Sequence, residues 1–354
     1  MKYYTSEKHF LKKFHSAYRT HSFQADTKEE FLIWQDSLRH KLCELLGTTQ
    51  MEKCLPQPEL VETVACDGYI RKKMLIHTEP DVIMPFYVLI PDDLKEGEKR
   101  TALIACHGHG SNGKEAVVGL RQKEGVANTI DVHNYNYGEM FVKKGYIVFA
   151  ADARGFGERR EIDLQGDEQE KYLSSSCRGL AHLALPLGQT VAGMWTWDLM
   201  RLADYIMTCD FVNGHLACVG LSGGGLQTLY FSALDPRVEC AVISGYFYGA
   251  GESLVTMFQN CDCNFIPNLW KTADIGDIGA LVAPRPLLIE TGNIDPLNGS
   301  SGLDNVYPQV EKVRKAMKLW NAEENLYHDV FDGPHMWHGD YAYDWVITHV
   351  PPKQ

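Results

Sequence analysis

The residue best placed to do chemistry is Ser222, in the run HLACVGLSGGG at 215–225. An apolar stretch, 216–219, enters Gly220-Leu221-Ser222-Gly223-Gly224, and a helix-compatible segment, 226–234, leaves it. Strand, sharp turn and helix in that order make a nucleophile elbow. The serine takes a strained backbone position, and glycines two before and two after it remove Cβ atoms that would clash. Taken alone, Gly-x-Ser-x-Gly also describes a tight glycine turn before a helix. A serine hydroxyl is a weak nucleophile until a base takes its proton, which calls for a histidine and usually a carboxylate to orient it.

Candidates follow in the chain order serine, acid, histidine. Asp295 stands in Thr291-Gly292-Asn293-Ile294-Asp295-Pro296, just past an apolar strand at 286–290. Asp332 and Asp304 compete for the acid's role, and Asp-Pro also opens ordinary turns. His335 closes Asp332-Gly333-Pro334-His335 beyond a strand at 325–331, whereas His338 lies nearer the final helix and reads as a solvated or packing residue. Both expected partners sit past strand ends, where α/β sheets keep their sites. A developing oxyanion needs donors. One is the backbone N–H of Gly223; the other is that of His109 in His107-Gly108-His109-Gly110, after a strand at 102–106, and the His109 side chain is placed to line the pocket. His107, Asp152, Arg154 and Trp337 are further candidates for the pocket or its support. Arg154 either walls the mouth or joins Asp152 in pinning the loop 152–158.

The two histidines of HGHG carry a rival reading, since a His-x-His pair at a strand end opens many metal-dependent hydrolase sites. Its partners would come from Asp152, Ser222, Asp295 and His335, and it leaves VGLSGGG without a purpose. Cys261-Asp262-Cys263 could supply two metal ligands, but no second cysteine pair stands at zinc-site spacing. The expectation is no metal.

The elements that must position these residues are legible as hydrophobic runs. Residues 60–65, 69–77 and 82–90 read as strands, with Asp67-Gly68 as a hairpin turn, and predict an antiparallel sheet edge. From 101 onward the runs 102–106, 146–150, 216–219, 238–243, 286–290 and 325–331 alternate with amphipathic segments, one of them the helix 194–207 that begins near Trp195, Trp197 and Asp198. This predicts an α/β fold: a mostly parallel central sheet flanked by helices. Residues 6–46 read as helical, with Phe31, Leu32, Trp34, Leu38 and Leu42 at helical spacing and Gly47 as C-cap. The expected division is a helical N-terminal extension, 1–56, and a catalytic domain, 57–354, with lid insertions at 160–193 and 249–273.

Composition narrows the class. In 354 residues, 46 acidic against 34 basic side chains leave a net charge of -12, which disfavours nucleic-acid binding. The N-terminal twenty residues hold no unbroken apolar signal region, no run approaches a membrane span, and the ten cysteines fall mostly singly, several in apolar strand-like runs. A cytoplasmic location with no membrane association is expected.

Together, CHGHG, DARGFGE, WDLMRLADY, VGLSGGG, the APRPLL strand before Asp295 and the GPH turn resemble the α/β-hydrolase superfamily, and within it the dienelactone-hydrolase-like, acetyl xylan esterase-like branch. The resemblance runs from about residue 60 to the C-terminus. It is also similar to carbohydrate esterase family seven deacetylases, where an HGY turn and an RGQ loop stand at the places of 107–109 and 154–156. The resemblance implies Ser222 as nucleophile, Asp295 as orienting acid and His335 as base and then acid. It implies ester hydrolysis through an acyl-enzyme, no metal or organic cofactor, and a small ester, most simply an acetylated sugar, as substrate. Two alternatives stand beside it: a prolyl-oligopeptidase-like serine peptidase, and a metal-dependent hydrolase built on HGHG. A homo-oligomer through the N-terminal helices is open.

Overall fold

The computed structural model of the chain describes residues 2–255 and 260–353. Its nine strands form one mixed sheet in the order β1-β2-β3-β5-β4-β6-β7-β8-β9. β1 (Glu59–Cys66), β2 (Tyr69–Glu79) and β3 (Val82–Pro91) are the antiparallel edge, closed by the Asp67-Gly68 turn with Gly68 at φ 83°. β3 runs antiparallel to β5. The other six, β4 (Arg100–Cys106), β5 (Ile147–Ala151), β6 (Val212–Leu221), β7 (Val238–Ser244), β8 (Leu287–Gly292) and β9 (Leu326–Phe331), pair parallel.

The apolar runs explain this layering. β4, β5 and β8 are buried at every position, as strands covered by helices on both faces must be. One cluster of buried apolar side chains fills each side of the sheet. β9, at the edge, leaves Tyr327 and Val330 exposed. Parallel pairing brings the C-terminal ends of β4, β6, β8 and β9 to one rim of the sheet.

The N-terminal helical reading needs a correction. The region holds two helices, Glu7–His15 and Lys28–Leu46, rather than one. Thr27 starts the second through a capping box: its hydroxyl accepts from the Glu30 N–H, and the Glu30 carboxylate accepts from the Thr27 N–H. Gly47 ends it at φ 77°. That helix buries Phe31, Leu38 and Leu42 but leaves Leu32 exposed. The first helix instead reaches the second insertion, where Phe14 stacks on Trp270 at 3.8 Å, and just beyond the two segments Arg19 pairs with Asp274 at 3.1 Å.

Both insertions are built of short helices and turns. The helix Cys177–Ala184 of the first packs against the turn Asp262–Asn264 of the second. Residues 256–259 of the second insertion lie outside the described residues. Among the described residues no helix is long and apolar enough to cross a membrane.

Candidate active site

Ser222 is the link between β6 and the helix Gly223–Leu234, and its backbone sits at φ 61°, ψ -119°. A non-glycine residue there is strained, and the surroundings enforce it. The Ser222 N–H donates to the Ser244 carbonyl at 2.9 Å, and the Leu226 N–H donates back to the Ser222 carbonyl at 2.9 Å. A Cβ at Gly220 would run into the Gly224 carbonyl, so the turn closes only with glycine there.

His335 and Asp295 come from the loops after β9 and β8. His335 Nδ1 and Asp295 Oδ2 lie 2.6 Å apart, a hydrogen bond that fixes the ring and turns Nε2 the other way. Asp295 is almost fully buried, and its second oxygen accepts the Leu297 N–H at 2.8 Å. Ser222 and His335 both line a cavity of about 380 Å³, whose walls include His109, Tyr246, Tyr248 and Leu297. The competing acids stand apart: Asp332 accepts from the Asn293 side chain, and Asp304 lies in the turn Gly302–Asn305. His338 is held by Asp329 at 2.7 Å and stacks on Phe331, a packing role.

The loop after β4 crosses beside the elbow. A Cβ at Gly108 would lie 2.7 Å from the Leu221 carbonyl oxygen and 2.9 Å from the Gly223 nitrogen, so glycine permits the close approach. Its own N–H donates to the Tyr135 hydroxyl at 2.6 Å. Among the described residues the backbone N–H groups of His109 and Gly223 donate to no protein acceptor. Two free donors beside a strained serine are what an oxyanion requires.

None of His107, Asp152, Arg154 and Trp337 lines this cavity, which corrects the pocket half of that expectation. His107 is buried, with Nε2 accepting the Ala153 N–H at 3.0 Å and Nδ1 facing the Gly108 carbonyl at 3.0 Å. Burial lowers its pKa to about 4, so the ring is neutral and ties the β4 and β5 loops together. Asp152 is buried against the Lys114 ammonium at 2.6 Å and accepts the Lys114 and Glu158 N–H groups. Arg154 is clamped by Asp198 and Glu79 at 2.8 and 2.7 Å. Burial alone would raise the Asp198 carboxyl, but Arg154 and Arg159 hold it down at about 2. Trp337 stacks on Tyr137 at 4.5 Å. These four are held in contacts within the protein, away from the lining of the cavity.

The HGHG metal reading loses its ligand set in the same way, because His107 and Asp152 are already committed. His109 points elsewhere. Its side chain meets Cys177, Cys261 and Cys263, and the four potential ligand atoms all lie within 4.8 Å of one another. The sequence singled out Cys261 and Cys263 as two possible ligands but missed His109 and Cys177 as their partners, because those come from separate stretches of chain.

Comparison with known proteins agrees with this fold. The pattern described as Abhydrolase family matches residues 3–300. YtaP of Bacillus subtilis (strain 168), a hydrolase by name, is 26% identical over 183 residues, 50% of this chain and 56% of its own. The chain thus spans little more than half the length of that curated relative. Among solved structures, a Bacteroides fragilis protein assigned as an acetyl xylan esterase superposes with a TM-score of 0.76 at 21% identity, over 93% of this chain and 83% of its own. Methylesterase BT1017 gives 0.67 at 18% identity, over 99% and 69%. At these identities the likeness is one of fold.

Proposed function

The chain belongs to the Abhydrolase family, and from that premise we propose that it is a serine carboxylic-ester hydrolase working through an acyl-enzyme. The observation that carries the reading is the pairing of a strained, cavity-facing Ser222 with a His335 ring held by Asp295 at 2.6 Å on the same cavity. In this reading His335 Nε2 takes the Ser222 proton as the hydroxyl attacks the ester carbonyl. The N–H groups of His109 and Gly223 receive the oxyanion. His335 returns the proton to the departing alcohol, and water then repeats the sequence on the acyl-enzyme.

Tyr246, Tyr248, Pro296 and Leu297 narrow the cavity around the serine, which favours a small acyl group. Acetyl on a carbohydrate is the substrate we infer. The assigned activity of the Bacteroides fragilis protein and the name of Methylesterase BT1017 both support small-ester chemistry. A cytoplasmic enzyme would meet short acetylated saccharides rather than polymer. The test is hydrolysis of p-nitrophenyl esters from acetyl to octanoyl by wild-type protein and Ser222→Ala. Turnover concentrated on acetyl and lost in the variant is expected. Activity that survives Ser222→Ala would overturn the mechanism, and a preference for octanoyl would overturn the substrate class.

A further inference from the structure

The cluster beside the serine has the composition of a metal centre. Cys177 begins the helix Cys177–Ala184 of the first insertion, Cys261 and Cys263 flank Asp262 in the second, and His109 follows β4. Their ligand atoms lie within 4.8 Å of one another, and His109 Nε2 stands 3.8 Å from Cys263 Sγ. Zinc bonds of about 2.3 Å to sulfur and 2.0–2.1 Å to nitrogen at tetrahedral angles put donor atoms about 3.5–3.8 Å apart. The His109–Cys263 distance already meets that value, and the widest pair needs to close by about 1 Å. Cys177 and Cys263 are buried, and Cys261 and His109 half-buried. The Asn264 side-chain N–H donates to Cys263 Sγ at 3.7 Å, the outer contact that supports a metal-bound thiolate.

We propose that His109, Cys177, Cys261 and Cys263 bind one zinc ion that staples the two insertions to the loop after β4. Three thiolates and an imidazole are a soft, nitrogen-and-sulfur donor set suited to zinc. Four protein ligands complete a tetrahedral shell and leave no position for a reacting water, so the ion is structural rather than hydrolytic. Binding displaces the three thiol protons and leaves the imidazole neutral. With Nε2 on the metal, the remaining ring hydrogen sits on Nδ1. A Cβ at Gly223 would lie 3.0 Å from that Nδ1, so the centre fixes the loop whose His109 N–H faces the cavity. The Cys-x-Cys spacing is tighter than that of zinc fingers, and the single turn Asp262–Asn264 accommodates it. Cys177 and His109 supply the ligands for which sequence spacing shows no candidate.

The test is metal content of the full chain, purified without chelator or a metal-affinity step, by plasma mass spectrometry. About one zinc per chain is expected, with near-complete loss in Cys261→Ser/Cys263→Ser and full retention in Cys54→Ser. Chelator-treated wild type should melt lower and recover on addition of zinc chloride alone. Its esterase rate should fall by about ten-fold or more. Ser222→Ala should keep its zinc, which separates this centre from the serine chemistry. Wild-type protein with no stoichiometric zinc and no melting response to zinc chloride would overturn the proposal, as would another metal in the site. A Cys177–Cys261 disulfide in the purified chain would overturn it as well.

Discussion

The rim of strand ends and the second insertion, on which the first insertion packs, both wall the same cavity, and the two regions are held by different means. Along the rim, Ser222, Asp295, His335 and the His109 amide each sit within a few residues of a buried strand. The sheet's register sets their spacing, and backbone hydrogen bonds such as Ser222 N–H to Ser244 hold them. Among the described residues the insertions contain no sheet. Their order rests on contacts between distant segments: Phe14 on Trp270, the helix Cys177–Ala184 against the turn Asp262–Asn264, and the sulfur cluster. The comparison teaches that a site can have its chemistry on the rigid wall and its enclosure on a wall that must be tied down.

The largest effects should come from the rigid wall. Ser222→Ala should lower kcat/KM on p-nitrophenyl acetate by at least about 10³-fold with an unchanged melting temperature. Asp295→Asn should cost about 10²–10⁴-fold, because the ring loses the partner that fixes its tautomer. A loss below ten-fold for either would mean that the rim does not carry the reaction. Next to the first insertion, Asp198→Asn leaves Arg154 and Arg159 facing a neutral amide in a buried place, and we expect a loss of about 3–5 kcal/mol by urea unfolding. The damage should spread to the first insertion, since the Ser176 N–H donates to the Gly155 carbonyl at 2.9 Å beside Cys177. Limited proteolysis should then cut within 160–193 before it cuts elsewhere. Uniform cleavage would erase the distinction between the walls.

A smaller effect tests the rim through pH. Glu290, within β8, is buried and accepts the Gly339 N–H at 2.8 Å, tying down the turn after His335. Burial pushes its pKa up to about 7 despite that bond. The folded state therefore holds the proton more tightly than the unfolded chain. Its contribution is fully present below about pH 4.5 and is lost as pH rises through 7, by up to about 3 kcal/mol. His107 acts in the opposite sense: its lowered pKa gives stability that is present above about 6.5 and lost as pH falls towards 4. Glu290→Gln should remove the alkaline-side loss and leave the acid-side loss, read as melting temperature against pH from 4 to 8. An unchanged profile would show that Glu290 does not govern the rim.

The sequence by itself determined the nine strands, the elbow and the chain order of serine, acid and histidine. These are local: an apolar run of five or six residues, a glycine two places away, a turn just past a strand. It also carried the Thr27-x-x-Glu30 capping box that divides the N-terminal helices, a signal masked by the apolar spacing on either side. Tertiary structure alone decided that His107, Asp152, Arg154 and Trp337 face inward to pin loops, and that His109 meets three cysteines. Spacing pairs Cys261 with Cys263, but nothing in it marks residues 109 and 177 as their neighbours. Their proximity depends on where two insertions land across the sheet's rim, and long-range packing settles that, whereas periodicity reports only which face of its own element a residue occupies.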